Sequence, residues 1–316
     1  MNSWVLALDT SAYTTSLAAL STSGELISEQ RRMLPVALGE RGLRQGDAVF
    51  AHLKALPELL TDMNLPLAPP LAVGVSIKPR PLEGSYMPVF VVGTKFAEAL
   101  ATAWHCPLYC FSHQEGHIMA GIASSKGPTS TEFLALHLSG GTTELLKVQR
   151  RSVGFSIELL GASSDLHVGQ FVDRVGVAIG LSFPAGPALE KLAATLDERV
   201  PKRLPIHCRE LSVSFSGAEA EAQRWLAKDV KPEVIARAVE QCISDTLVQL
   251  IRNALKSTGL QELLLVGGVV SNGFIRQELL KHLQSALRLF FAAPSVCSDN
   301  AFGLARLVIE QLRLGE

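Results

Sequence analysis

The sequence predicts an α/β protein built from two copies of one structural unit. A short apolar strand, a polar turn and two further strands open the chain at Trp4, and the same order returns from Glu132. Turns of small residues also end strands at 9–15, 139–142 and 267–272. Helix-forming sequence follows each set of strands, so the repeat predicts two lobes with a ligand cleft between them.

The first copy is predicted from alternating apolar residues separated by turn residues. Strands are expected over 4–9, 15–20 and 25–31, which follow one another closely enough to pair as hairpins. A further strand is expected over 71–77 and a helix over 93–104. This order is that of an α/β lobe.

The second copy repeats the pattern. Strands are expected over 133–138, 143–149 and 155–160, and an apolar run from Leu263 ends in a Gly-Gly turn with a helix beginning near Gly273. We therefore place the lobes at residues 1–115 and 116–316, with the C-terminal helix returning to the first lobe.

The three small-residue turns fit the phosphate and adenosine turns of the actin, hexokinase and heat-shock-ATPase superfold, whose two lobes are RNase H-like. Glycine lets backbone N–H groups approach phosphate oxygens, and a helix N-terminus adds partial positive charge. One Gly-Gly turn is often only a tight turn, but three in this order favour a nucleotide site.

A metal site is predicted from His113, His117 and Asp299. On a helix, residues four apart share a face, so both imidazoles can reach one ion while a distant carboxylate completes the set. Such a set leaves coordination positions open for substrate. A zinc peptidase is disfavoured, because Glu115 lies two positions from each histidine and points away from a shared ion.

Composition excludes several classes of protein. Of 316 residues, 47% are apolar and 19% charged, which is typical of a globular protein. A net charge of −1 gives no reason to expect strong nucleic-acid binding by the chain alone. It does not exclude a local basic patch on the surface. Five cysteines without a C-x-x-C pair indicate reduced thiols, and no apolar run is long enough for a membrane span, so we expect a cytoplasmic protein.

The chain resembles the universal tRNA threonylcarbamoyladenosine synthase family, formerly called O-sialoglycoprotein endopeptidases. The resemblance covers nearly the whole chain. It rests on the ordered motifs His113-Gln-Glu-Gly-His117, Ser139-Gly-Gly-Thr-Thr, Gly169-Gln-Phe-Val-Asp173, Phe183-Pro-Ala-Gly186-Pro, Ser214-Phe-Ser-Gly217, Gly267-Gly-Val-Val-Ser-Asn272 and Cys297-Ser-Asp299-Asn.

The resemblance implies transfer of a threonylcarbamoyl group from threonylcarbamoyl-AMP to an adenosine amine of tRNA, with one divalent transition metal, iron or zinc. The metal ligands would be His113, His117 and Asp299. The implied nucleotide and substrate residues are His137, Leu138, Ser139, Gly140, Gly141, Asp173, Gly186 and Asn272. A purely structural role is an alternative for several of these residues. Asp173 would then be a carboxylate on a helix surface, Gly186 a turn residue and Asn272 a helix N-cap. The segment Ser214–Ser216 would be an ordinary strand.

The sequence departs from the family in the first turn. Ala12, Tyr13 and Thr14 stand where the family has a cysteine and two acids, and those acids are candidates for handling the proton of the attacking amine. The usual histidine of the second turn is Thr142, the Gly-Pro-Gly-Leu segment is replaced over 78–87, and a histidine expected on the helix near Ala51 is missing.

Three functions are therefore weighed. The first is the family transferase, working with protein partners that make the adenylate and hold tRNA. The second is a divergent paralogue that keeps nucleotide and metal, has lost tRNA modification, and acts as a partner subunit, as a homodimer or heterodimer, or on another acceptor. A kinase of the same superfold is disfavoured, because the turn at Asp9 lacks the glycine-rich phosphate loop.

Overall fold

The structure is a computed structural model, and it describes residues 3–11, 13–35, 43–196, 202–297 and 299–315. The strands are β1 (Trp4–Thr10), β2 (Thr14–Ser21), β3 (Leu26–Met33), β4 (Ala72–Lys78), β5 (Leu108–Ser112), β6 (Glu132–Leu138), β7 (Thr143–Arg150), β8 (Phe155–Ala162), β9 (Cys208–Arg209), β10 (Ser212–Val213), β11 (Glu262–Val266) and β12 (Arg288–Phe291).

Helices connect these strands. They are α1 (Gln45–Thr61), α2 (Pro88–Trp104), α3 (His113–Ser125), α4 (Val168–Ala178), α5 (Gly186–Ala193), α6 (Ser216–Leu226), α7 (Pro232–Thr258), α8 (Gly273–Leu283), α9 (Pro294–Cys297) and α10 (Phe302–Leu314). A 3₁₀ turn, Gly268–Ser271, lies between β11 and α8.

The first of two compact units comprises residues up to Ser124, Arg150–Ser156 and the segment from Asp299 onward. Its five-stranded sheet has the order β3-β2-β1-β4-β5, with β1 antiparallel to β2 and parallel to β4. The C-terminal helix α10 packs against β1, β2 and β4. The predicted boundary at residue 115 falls inside α3, whereas the unit continues to Ser124.

The second unit comprises Ser125–Gln149 and the residues from Ile157 to position 298. Its sheet has the order β12-β11-β6-β7-β8, with β6 antiparallel to β7 and parallel to β11. Read from β8, this is the order found in the first unit. The predicted duplication of an α/β unit is therefore confirmed.

The central strand of the first sheet is buried along its length because helices pack against both of its faces. Every residue of β1 is buried, and Leu6 and Leu8 pack with the α1 and α2 side of the first unit while α10 also contacts β1. A rigid β1 fixes the position of the residues that follow it. Among the described residues no helix is both long and apolar enough to cross a bilayer.

Two local differences from the sequence prediction have simple causes. The helix expected from residue 93 begins at Pro88, because proline suits the first turn of a helix, where its missing N–H has no partner to lose. The alternative that Ser214–Ser216 form an ordinary strand is wrong: β10 ends at Val213 and α6 begins at Ser216.

Candidate functional site

Three potential metal ligands converge in the first unit. His113 is the first residue of α3 and His117 lies one turn later, so their rings share a face of the helix. The two Nε2 atoms are 3.0 Å apart, and Oδ1 of Asp299 lies 3.1 Å from His117 Nε2 and 3.5 Å from His113 Nε2. The structure thus brings together the three residues that the sequence pattern indicated as metal ligands.

The three side chains suit a transition metal. Iron and zinc bind imidazole nitrogens and carboxylate oxygens at about 2.0–2.2 Å, which places two ligands of a tetrahedral site about 3.4 Å apart. The three separations, from 3.0 to 3.5 Å, are close to that value. Two histidines and one carboxylate are also the donor set of open iron sites.

Neighbouring residues orient two of the ligands. Nδ1 of His113 lies 3.0 Å from Oδ1 of Asp9, which also accepts a hydrogen bond from the Ser76 hydroxyl. A carboxylate only accepts, so Nδ1 of His113 carries a proton, and loss of the proton from Nε2 would leave that nitrogen's lone pair for an ion. The Ser11 hydroxyl donates to Oδ2 of Asp299 at 2.6 Å, which leaves Oδ1 directed at the histidines.

The electrostatics of the cluster favour a positive charge. Burial opposes the imidazolium form of His113, but the charges of Asp9 and Asp299 and hydrogen bonds to both outweigh it and raise its pKa to about 10. Burial also disfavours ionised Asp299, yet its hydrogen bonds to and charge attraction from both histidines hold its pKa well below the usual range. A metal cation would satisfy the same field.

A histidine of α1 contacts the first turn. The prediction that the helix near Ala51 lacks one was wrong, because His52 of α1 is fully buried and its Nε2 lies 2.8 Å from the Ser11 carbonyl oxygen. Tyr13 is exposed and Thr14 begins β2. Ala12 lies outside the described residues.

The predicted phosphate turn joins β6 to β7 in the second unit. His137 and Leu138 are buried at the end of β6, and Ser139 N donates to Thr142 O at 2.8 Å to close the turn. A Cβ added at Gly140 or Gly141 would meet no atom within 4 Å. Both glycines therefore border open space, as an approaching phosphate requires.

The turn is supported from below by α4. Gly169 N donates to Ser139 O at 3.2 Å, and a Cβ at Gly169 would lie 2.6 Å from that oxygen. Glycine at 169 is thus required by close backbone packing. Gly169 belongs to the motif that ends at Asp173, but no sequence pattern indicated that it supports the turn.

Asp173 and Gly186 lie near each other through the segment that joins α4 to α5. Asp173 Oδ1 accepts from Ala185 N at 2.8 Å, and burial raises the pKa of this carboxyl group despite that hydrogen bond. Gly186 is the first residue of α5, and a Cβ added there would touch Val172 Cγ1 at 4.0 Å. Asp173 is half-buried and bonded to backbone, so it is more than a surface carboxylate.

Asn272 caps α8 and also belongs to a buried polar network. Its Oδ1 accepts from Ile275 N at 2.9 Å, and its Nδ2 donates to Glu240 Oε1 at 2.6 Å. Glu240 is held from its other side by Arg237, whose guanidinium lies 2.6 Å from Oε2. The N-cap alternative is confirmed, and it is compatible with a ligand role because one amide hydrogen stays outside these bonds.

Sequence reasoning missed Asp9, Ser11, His52 and Glu240. Asp9 and Ser11 stood in the first turn, but their contacts with His113 and Asp299 span 104 and 288 positions of the chain. A short-range spacing rule carries no information about such pairs. The usable signal was that β1 ends in Asp-Thr-Ser, where a buried strand delivers polar groups to one edge of a sheet.

Comparison with solved structures defines the class of the fold. A full-length HypF in a phosphate- and nucleotide-bound form aligns with a TM-score of 0.61 at 14% identity, over 99% of this chain and 47% of that one. The HypF of T. kodakarensis gives 0.63 at 12% identity, over 99% and 48%. The activator of 2-hydroxyisocaproyl-CoA dehydratase from Clostridium difficile, with bound ADPNP, gives 0.57 at 14% identity, over 100% and 97%.

These likenesses establish the fold, and the chain spans about half the length of the HypF structures. The protein has the two-lobed α/β fold of the actin, hexokinase and heat-shock-ATPase superfold, as predicted. The model of the TsaD family, tRNA N6-adenosine threonylcarbamoyltransferase, matches residues 51–305. The chain belongs to this family of threonylcarbamoyl-type transferases.

Proposed function

We propose that this protein binds one divalent transition metal, iron or zinc, and an adenine nucleotide, and transfers the threonylcarbamoyl group of threonylcarbamoyl-AMP to an adenosine amine of tRNA. The observation that carries the proposal is the convergence of His113, His117 and Asp299 in the first unit, within a chain of the TsaD family. Burial and the hydrogen bonds from Ser11 and to Asp9 pre-orient these ligands.

The nucleotide would be held by the second unit. In this proposal, the residues from His137 to Gly141 accommodate the phosphate and the threonylcarbamoyl end, Asp173 and Gly186 the ribose, and Asn272 the adenine side. Open space at Gly140 and Gly141 supports the phosphate part of this assignment. Nucleotide in solved proteins of the same fold, such as the ADPNP-bound dehydratase activator, is consistent with it.

The chemistry asks little of the protein beyond position and charge. An acyl-phosphate anhydride is already activated, so fixing it beside the acceptor supplies much of the rate. A metal bound by the three ligands would supply Lewis-acid polarisation of a substrate oxygen. Backbone N–H groups of the turn 139–142 would receive negative charge on the departing phosphate.

The runner-up function is a paralogue that binds nucleotide and metal without modifying tRNA. One observation favours it: the first turn places an exposed tyrosine, Tyr13, and a threonine, Thr14, where the family has acids. Neither side chain serves as a base at neutral pH. In that case the protein would act as a partner subunit or on another acceptor.

One reconstitution separates the two functions. Purified protein, loaded with zinc or iron, is incubated with threonylcarbamoyl-AMP and unmodified tRNA, with and without candidate partner proteins, and the nucleosides are analysed by mass spectrometry. Threonylcarbamoyladenosine that requires His117 supports the transferase. Bound metal and nucleotide without modified tRNA under every condition supports the paralogue.

We also propose protein partners. The net charge of −1 leaves the chain without an overall basic character for tRNA, so a complex would supply that surface. Co-purification with tRNA that appears only when partners are present would support this assignment.

A further inference from the structure

A buried histidine that is not one of the three ligands contacts Ser11, the residue whose hydroxyl donates a hydrogen bond to Asp299. His52 lies in the middle of α1, is fully buried, and its two ring nitrogens face β2 and the end of β1. Nε2 lies 2.8 Å from Ser11 O and Nδ1 lies 2.7 Å from Thr15 Oγ1. A polar ring in an apolar layer needs both bonds to be tolerated.

The chemistry of the two partners fixes the protonation of the ring. A backbone carbonyl only accepts, so Nε2 carries the proton and donates to Ser11 O. Burial lowers the pKa of His52, although its bond to Ser11 and the charge of Asp9 act in the other direction, so the ring is neutral. Nδ1 then accepts from the Thr15 hydroxyl.

Ser11 is the link between this ring and the metal centre. It is buried, lies one position beyond the end of β1, and sends its hydroxyl to Oδ2 of Asp299 at 2.6 Å. His52 donates a hydrogen bond to the backbone carbonyl oxygen of the same residue. The histidine therefore restrains the backbone from which the Ser11 hydroxyl reaches the carboxylate.

We propose that His52 is a positioning residue of the metal centre, acting through Ser11 to turn Asp299 so that Oδ1 faces His113 and His117. The inference rests on the proposed metal site and adds a residue to it that contacts no ligand atom. Without the hydrogen bond from His52 to Ser11 O, the Asp299 side chain would rotate among orientations that do not bind the ion. Metal affinity would then fall.

The test is a double-mutant cycle on metal affinity in the full-length protein. Ser11→Ala, His52→Ala and the double variant are freed of metal, and zinc affinity is measured by competition with a chromophoric chelator. Each single change should weaken zinc binding about 10- to 100-fold, the usual effect of removing a group that orients a metal ligand. The double variant should bind zinc no more weakly than Ser11→Ala, because His52 acts through Ser11.

Two further variants separate positioning from folding. His52→Gln keeps an amide donor near the place of Nε2 and should restore part of the affinity. Leu56→Ala removes a fully buried side chain of the same helix and should lower the thermal midpoint without changing zinc affinity. The visible absorption bands of bound Co²⁺ should shift in His52→Ala and stay unchanged in Leu56→Ala.

The outcomes distinguish this inference from the metal site itself. Zinc affinity unchanged in His52→Ala, or lowered equally with and without the Ser11 hydroxyl, would overturn the positioning role while leaving the centre standing. A parent protein that binds no metal, or binds it as well after His113→Ala and His117→Ala, would overturn the proposed centre and this inference together.

Discussion

The Nε2 atoms of His113 and His117 lie 3.0 Å apart, with Oδ1 of Asp299 within 3.5 Å of both. Two imidazole lone pairs repel at that distance unless a proton or a metal ion lies between them. The carboxylates of Asp9 and Asp299 add negative charge on two sides of the pair. The geometry is therefore one that a cation stabilises.

The first prediction concerns metal content. His117→Ala should reduce bound iron or zinc from about one per chain to near zero, because two remaining ligands rarely hold an ion. Metal in protein purified under gentle conditions is measured by inductively coupled plasma mass spectrometry. His282→Ala is a matched control, since this exposed histidine of α8 lies in the second unit and its side chain pairs with Glu278. Full occupancy in a His113→Ala, His117→Ala double variant would contradict the assignment.

The ligand residues were predictable from the sequence for a local reason and a global one. His113 and His117 are one helical turn apart, so their proximity follows from helix geometry alone. Asp299 was proposed as the distant carboxylate that completes such a set, and the family resemblance supported that choice. Its contact with Ser11 joins residues that only the folded sheet and the return of α10 bring together.

The strands that the sequence predicted lie within one or two residues of their observed bounds, whereas β5, β9, β10, β12 and the polar network behind the site were not predicted. The strands β1, β2, β6 and β7 were predictable because each is an apolar segment of strand length next to a turn of small residues. The spacing of apolar residues in α1 does not indicate whether His52 is buried or exposed. Its role depends on two hydrogen bonds to a distant turn.

The second prediction tests the phosphate turn. Gly141→Ala adds a methyl group that meets no protein atom within 4 Å, so the fold should tolerate it while an approaching phosphate is displaced. Loss of a charge-assisted hydrogen bond would weaken AMP and threonylcarbamoyl-AMP binding by about 10- to 100-fold. Isothermal titration calorimetry with each nucleotide measures the effect.

Gly169→Ala is the contrasting variant, because its methyl group would meet the backbone of the turn and not the open space beside it. Its methyl group would lie 2.6 Å from Ser139 O and 2.7 Å from Gly140 N, so the backbone must shift. We expect a loss of about 1–3 kcal/mol in unfolding free energy, typical of overpacking. Nucleotide binding as tight in Gly141→Ala as in the parent would remove the turn from the site.

The third prediction concerns the pH dependence of stability. Burial raises the pKa of Glu240 from 4.5 to about 7, against the opposing influence of Asn272 and Arg237, and with a further contribution from Glu190. The folded protein thus holds this proton more tightly than the unfolded chain. The resulting stabilisation is fully present below pH 4.5 and is lost as the pH rises through about 7, at a cost on the order of 3 kcal/mol.

Glu240→Gln should remove this dependence, because an amide does not titrate. Urea unfolding of both proteins at pH 5 and pH 8, with chelator present, gives the comparison. The parent should lose stability relative to the variant between the two pH values. Parallel pH profiles for the two proteins would show that Glu240 does not titrate in this range.

The last prediction addresses the altered first turn. Tyr13 is exposed, and its backbone carbonyl accepts from Leu34 N at 2.8 Å, so the turn is held by main-chain bonds that a new side chain leaves intact. Tyr13→Asp with Thr14→Glu should therefore fold normally and restore carboxylates beside the acceptor. If the acids assist the attacking amine, transfer to tRNA should rise by about 10² to 10⁴-fold, the usual range for general-base catalysis.

The rate is measured as threonylcarbamoyladenosine formed per enzyme in a single-turnover assay, with Tyr13→Asn and Thr14→Gln as an uncharged control of similar size. An increase restricted to the acidic variant would support a transferase that has weakened its acceptor side. Equal and substantial rates in all forms would show that these carboxylates are dispensable in this protein. Failure of every form, with metal and nucleotide still bound, would favour the paralogue, since position and charge would then be present without transfer.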